Sequence, residues 1–313
     1  VEFGRGHIES IITFLAESGT GRHVPTFVTM PQERLVRNLR ILAEAINENP
    51  RVRAAVAGLH IEGPFISSED GPRGAHDPCY VRPADFEQFL EWQVASGGRI
   101  AYVTVAPEVK GVPDFIRRVC ASGVKVAIGH SDADPDQIQA AVEAGATLST
   151  HLGNGSRGTL PRLRNAIWEQ LACDELSAGF ICDGFHLPGS VVKVLYRTKG
   201  LERLILVSDA ALLGGQPPGV YKWGNLDVEV FPDGHLGLPG TSYLAGAGHL
   251  LDFSIPRFIE YTGASLADAV RLCTQNPTRF LGAEEPFSEK LATGMPADLC
   301  IFDYAHGDRR LKV

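Results

Sequence analysis

Paired cysteines are missing from this sequence. None of the six, Cys79, Cys120, Cys173, Cys182, Cys273 and Cys300, falls in a C-x-x-C pair, and that spacing argues against a zinc–cysteine site. Their apolar settings, such as Phe180-Ile181-Cys182 and Leu299-Cys300-Ile301-Phe302, predict reduced, buried thiols in a cytosolic protein. No apolar run approaches the roughly 20 residues that span a bilayer. No signal-peptide pattern opens the chain, which starts Val1-Glu2-Phe3 rather than with Met. An excess of positive charge is missing too: 29 Lys and Arg face 37 Asp and Glu, for a net charge of -8. That balance argues against nucleic acid and anionic membranes as partners. Internal repeats, low-complexity segments and charge blocks are also absent. What remains is a chain of 313 residues, 44% hydrophobic, the composition of a globular protein with a sizeable core.

Short β-rich runs alternate with amphipathic helical segments. The runs predict strands over His23–Thr29, Ala54–Glu62, Ile100–Val105, Lys125–His130, Thr147–His151, Ala178–Asp183 and Leu204–Asp209. Helices are predicted around Ile8–Glu17 and over Gln32–Asn47, Pro83–Ser96, Val112–Ser122, Pro135–Ala144 and Ser190–Arg197. Apolar strands separated by helices mean parallel βαβ units, hence an α/β fold of the (β/α)8 TIM-type barrel. An eighth strand would precede the first helix, which places it upstream of Val1. Beyond Asp209 the segment 211–241 is rich in Gly and Pro. Its alternating run Leu226–Phe231 and turn Pro232-Asp233-Gly234 predict a β-hairpin. Helices near Ala245–Tyr261 and Ser265–Leu272 follow, and Gly294–Phe302 reads as a strand of a small separate sheet. The expected domains are a catalytic barrel over 1–285, with the hairpin inserted near 220–240, and a remnant of a small β domain over 286–313.

The chemistry lies where the strands end. Four of them finish on Glu62, His130, His151 and Asp209. In a parallel barrel all carboxyl ends of strands open on the same mouth, so residues far apart in sequence converge there. Two imidazoles and a carboxylate form a familiar zinc or iron set with a position left open for water. His60 shares its strand face with Glu62 and reads as a packed barrel histidine. Asp132 and Asp134 read as N-cap groups of the next helix, and Asp183 as a residue that orients its neighbours at the mouth. His7, His23, His235, His249 and His306 are taken as structural.

These segments resemble a known family. Gly58-Leu-His-Ile-Glu62-Gly-Pro-Phe65, Arg73-Gly-Ala-His76, Ile128-Gly-His130-Ser131, Thr150-His151-Leu-Gly-Asn154, Asp183-Gly-Phe-His186, Val207-Ser-Asp209-Ala210, Leu244-Ala-Gly246 and Thr274-Gln-Asn-Pro277 are similar, in order, to motifs of N-acetylglucosamine-6-phosphate deacetylases in the amidohydrolase superfamily. The resemblance implies a metal-dependent hydrolase of linear amides, in amino-sugar catabolism, that releases acetate from an amino-sugar phosphate. It implies Glu62, His130 and His151 as ligands of a divalent metal, zinc ahead of iron. It implies Asp209 as catalytic acid and base. Substrate contacts carried over are Ala75, His76, Asn154, Gly155, His186, Leu244, Ala245 and Gly246. One ion or two is left open, because in this superfamily a second ion relies on a His-x-His at the end of the first strand. A homodimer is also implied.

One stretch departs from the family pattern. After His151 the chain runs Gly153-Asn154-Gly155-Ser156-Arg157-Gly158-Thr159-Leu160-Pro161-Arg162. Spacing favours Arg162 as the phosphate contact, with Arg157 and Arg164 as rivals. This leaves another N-acylated sugar, such as N-acetylgalactosamine 6-phosphate, as an alternative substrate. A non-catalytic sugar-binding barrel is the alternative of a different class.

Overall fold

A computed structural model describes residues 4–282, 293–294 and 299–313. In chain order the elements are α1 (Arg5–Glu17), β1 (Thr26–Val28), α2 (Gln32–Glu48), α3 (Pro50–Ala55), β2 (Leu59–Glu62), α4 (Phe86–Ser96), β3 (Ile100–Val105), α5 (Val112–Ala121), β4 (Lys125–Ile128), α6 (Pro135–Ala144), β5 (Ala146–Ser149), α7 (Ala166–Ala172), β6 (Ser177–Ile181), α8 (Gly189–Lys199) and β7 (Leu204–Val207). Next come β8 (Gly219–Trp223), β9 (Leu226–Val230), β10 (Leu236–Gly237), α9 (Leu251–Thr262), α10 (Leu266–Cys273) and α11 (Gln275–Leu281).

Strands β1 to β7 form one parallel sheet in sequential order, with helices in every crossover. This is the expected barrel architecture, with seven strands among the described residues. Local chemistry sets the helix limits. Asp134 caps α6 in a full capping box with Gln137, Pro135 occupies the first turn, and Gly145 ends the helix in a left-handed conformation. On α2 the residues Leu35, Leu39, Leu42 and Ile46 are buried, a stripe at helical spacing that seats the helix on the sheet. Side chains on the other face of the strands fill the barrel itself: Ala127, Leu148 and Ile205 pack with Tyr102, Val207 and Phe280.

Several boundaries differ from expectation. The predicted strand over 54–62 begins only at Leu59, because Asn49 caps and Pro50 initiates the short helix α3. The predicted helix over 245–261 begins at Leu251; Ala247 instead bridges Ala210. Helices α3, α7 and α11 were not foreseen. The hairpin is present as a three-stranded antiparallel sheet, β10-β9-β8. Of the strand expected over 294–302, residues 295–298 lie outside the described residues. Within 299–313, Asp303 bridges Lys312 and Leu311 is buried among the helices beside β6 and β7. All six cysteines are unpaired; Cys182 is buried, whereas Cys79 and Cys300 are exposed. Among the described residues no helix is long and apolar enough to cross a membrane.

Candidate active site

Glu62 is the last residue of β2. The ladders of β4, β5 and β7 stop at Ile128, Ser149 and Val207, and in each case the candidate site residue stands two positions further on. His130, His151 and Asp209 have φ of 50°, 28° and 50°, the only non-glycine residues in the left-handed region among those described. That conformation costs an L-residue roughly 1–2 kcal/mol and persists where the surrounding structure enforces it. Here it turns each side chain off the strand and into the mouth.

The convergence expected from the strand ends is present. Glu62, His130 and His151 are buried, with one ligand atom from each lying within 4.8 Å of the others. Glu62 Oε1 is 3.0 Å from Nε2 of both histidines, which stand 3.1 Å apart. His130 Nδ1 donates to the Pro72 carbonyl at 3.0 Å, which leaves the Nε2 lone pair facing inward, the tautomer a metal ligand needs. Gly155 makes room for this ring, since a Cβ there would lie 2.8 Å from His130 Nδ1.

Electrostatics give the same answer as the distances. Burial opposes ionisation of Glu62, but the two imidazoles of His130 and His151 at 3.0 Å outweigh it and hold the carboxyl well below the usual range. Burial likewise opposes charging of His151, yet its hydrogen bond to Glu62 and the Glu62 charge raise it to about 9. Burial, and then the Glu62 charge, push Asp209 up to about 6. With no ion, a proton on His151 supplies the positive charge that two adjacent carboxylates require. A divalent cation meets the same need with the same donors, so the residues fit the metal that the family pattern implies.

His76 is buried and packs edge-on against His130. The Thr29 backbone N–H donates to its Nδ1 at 3.4 Å, so the proton sits on Nε2, 3.2 Å from His130 Nε2. Burial, aided by the neighbouring His130, holds His76 far below the usual histidine value and therefore neutral. His186 Nδ1 meets Asp183 Oδ2 at 2.8 Å, and Asp183 Oδ1 accepts the backbone N–H groups of Phe185 and His186. Asp183 thus orients the loop, as its position suggested. His60 is satisfied on both nitrogens, by Thr26 Oγ1 at 3.0 Å and Thr104 Oγ1 at 2.8 Å, and stacks on Tyr102. It is a packed histidine.

The remaining predicted contacts lie around the mouth. Asn154 donates through its side chain to the His151 carbonyl at 3.2 Å. Leu244 bridges Gly237 of the small sheet, Ala245 is buried in that sheet's core beside Ala75, and Gly246 adjoins Ala247, whose N–H donates to the Asp209 carbonyl at 2.8 Å. Of the three arginines, Arg157 is tied to Asp132 and Glu69, and Arg164 to Asp136. Asp132 therefore holds Arg157 rather than capping α6, a role that falls to Asp134 alone. Arg162 is exposed. His235 and His249 are structural in a specific way: Phe185 stacks against both, and they continue the stack to Phe231 and Phe253. Sequence reasoning missed Thr104, although it too stands near the mouth end of its strand, and Thr29, which had no visible signal.

The chain matches no protein-family model. It is similar to the N-acetylglucosamine-6-phosphate deacetylase of Lysinibacillus sphaericus, 33% identical over 95% of this chain and 74% of that one. To its counterpart from Bacillus subtilis it is 32% identical, over 92% and 72%. Among solved structures it superposes with a TM-score of 0.82 on an aspartate-to-alanine mutant of the N-acetyl-D-glucosamine-6-phosphate deacetylase of Mycobacterium smegmatis in complex with N-acetyl-D-glucosamine-6-phosphate, at 30% identity over 89% of this chain and 72% of that one. On the Thermotoga maritima enzyme the TM-score is 0.79, at 27% identity, over 88% and 73%. Motifs, barrel and sequence identity agree: the chain belongs to the N-acetylglucosamine-6-phosphate deacetylase family.

Proposed function

We propose that this chain hydrolyses the acetamide of N-acetylglucosamine 6-phosphate to glucosamine 6-phosphate and acetate, with Asp209 as acid and base. The observation that carries this reading is the meeting of Glu62, His130 and His151 in one buried cluster beside a carboxyl group, Asp209, that feels the charges of all three. Glu62, His130 and His151 would hold a divalent ion, which when bound would acidify water and polarise the acetyl carbonyl; we take it to be zinc, with iron the alternative the same donors accept.

The chain's own groups do the rest. Asp209 accepts a proton from the attacking water as its oxygen bonds to the carbonyl carbon. His76, neutral with its proton on Nε2, donates a hydrogen bond to the oxygen that gains negative charge. Asp209 then returns the proton to the amide nitrogen as the C–N bond breaks, one carboxyl serving in both directions. His186, held by Asp183, and Arg162, which has no partner among the described residues, contact the phosphate. Asn154, Gly155, Ala75 and the Leu244–Gly246 loop line the sugar pocket. The reading includes a homodimer and a cytosolic location.

A second substrate reading, N-acetylgalactosamine 6-phosphate, is favoured by the rebuilt loop 153–162 that follows His151. A non-catalytic barrel has no support, because Asp209 and all three ligands are present. Acetate release from the two sugar phosphates tests the reading. We expect release from one of them, and a loss of about 10²–10⁴-fold in Asp209→Asn with metal content unchanged. An Asp209→Asn chain as active as the parent would refute the assignment.

A further inference from the structure

His130 needs more than its own strand to hold it. Its backbone is left-handed, with φ of 50°, and the chain turns away from β4 directly after it. The loop leaving β3 supplies no metal ligand and no residue of the mechanism, yet it carries Glu108. Glu108 Oε1 accepts the Asp132 backbone N–H at 2.6 Å, and Oε2 accepts the Ser131 hydroxyl at 2.8 Å. The Ser131 oxygen in turn accepts the Ala133 N–H at 2.9 Å, which fixes the direction of its proton towards Glu108. Two other loops pin the same three residues more lightly: Ser67 N–H donates to the His130 carbonyl, and Ser131 N–H to the Gly155 carbonyl. Glu108 is the only side chain among these that takes two of the hydrogen bonds.

We propose that Glu108 is a positioning residue for the metal site, holding the turn after β4 so that His130 keeps its ligand geometry. The proposal rests on the metal-site reading above. Without the carboxylate, the Asp132 N–H and the Ser131 hydroxyl lose their acceptor. The left-handed turn can then relax towards extended backbone, carrying the imidazole away from Glu62 and His151. Partners that orient a ligand histidine typically alter metal affinity by about 10–100-fold.

The test is zinc affinity, by competition with a chromophoric chelator, in the full chain and in Glu108→Ala and Glu108→Gln, with the melting temperature of each metal-free protein alongside. The parent chain should bind zinc, and Glu108→Ala about 10–100-fold more weakly. Glu108→Gln should stay within about threefold of the parent: its carbonyl can accept from Asp132, and its amide can donate to Ser131 Oγ. If Glu108→Ala does not fold, Ser131→Ala removes one of the two donors and should weaken zinc by about 3–10-fold at an unchanged melting temperature. Parent-like affinity in Glu108→Ala, with only a lower melting temperature, overturns the positioning role alone. Equal loss in the Ala and Gln variants also overturns it, since charge rather than hydrogen bonding would then be at work. A parent chain that takes up no zinc overturns the metal site and this proposal together.

Discussion

Replacing Asp209 with asparagine should make the metal-free chain more stable, while costing the metal-loaded chain about 10²–10⁴-fold in activity. The carboxyl is pushed from its ordinary 3.8 up to about 6, first by burial and then by the Glu62 charge. The folded chain therefore keeps a proton that the unfolded chain releases over that range, and ionisation of Asp209 lowers stability as pH rises through it. At about 1.4 kcal/mol per tenfold change in proton affinity, the penalty at neutral pH is at most about 3 kcal/mol. Screening at the partly open mouth reduces it to about half that. Asparagine keeps the shape and carries no charge. Urea unfolding of metal-stripped chains should show Asp209→Asn more stable by about 1.5–3 kcal/mol at pH 7 and by under about 1 kcal/mol at pH 4. Loss of the Asp209 charge also removes one of the influences that raise His151, which moves the gain at pH 7 towards the lower figure. A variant less stable than the parent at pH 7, or a gain independent of pH, would refute the reasoning.

Three further outcomes follow from the same geometry. In the metal-free chain, Glu62→Gln should bring the His151 titration, followed by NMR, well down from about 9, because its largest upward causes, the hydrogen bond to Glu62 and the Glu62 charge, are removed and burial is then opposed only by the Asp209 charge and a backbone hydrogen bond. The stability that raised value contributes is complete below about 6.5 and is lost as pH climbs through 9, so the parent's advantage over Glu62→Gln should vanish in alkali. Gly155→Ala places a Cβ 2.8 Å from His130 Nδ1 at a φ of +56°; thermal unfolding should show a loss of about 2–4 kcal/mol, with weaker metal binding. Arg162→Ala should raise KM about 10–100-fold for the phosphorylated sugar but not for the unphosphorylated one, whereas Arg157→Ala, which loses only the bonds to Asp132 and Glu69, should leave KM nearly unchanged.

The convergence of the candidate site residues was legible because parallel strands put every carboxyl end at one mouth. Glu62, His130, His151 and Asp209 could be read from sequence although their ladders end up to two residues early. What fixes them is the left-handed turn after each strand, and a hydrophobic run does not display it. The strand expected from Ala54 failed because Asn49-Pro50 starts a helix inside an apolar run, a case where capping chemistry overrides pattern. Asp132 and Asp134 look alike in sequence, and only the arrival of Arg157 from another loop separates them. Glu108 and Thr29 were hidden for the same reason: their partners come from other loops, at separations that no local pattern encodes.

If Glu62, His130 and His151 hold a metal ion on which amide hydrolysis depends, activity must follow metal content. The most direct measurement is acetate release from N-acetylglucosamine 6-phosphate and its galactosamine isomer by the chelator-stripped chain, titrated with zinc. No release is expected from the stripped chain, recovery should follow bound metal in proportion, and His151→Ala should show neither binding nor recovery. Full activity in the stripped chain, or recovery in His151→Ala equal to that of the parent, would contradict that dependence.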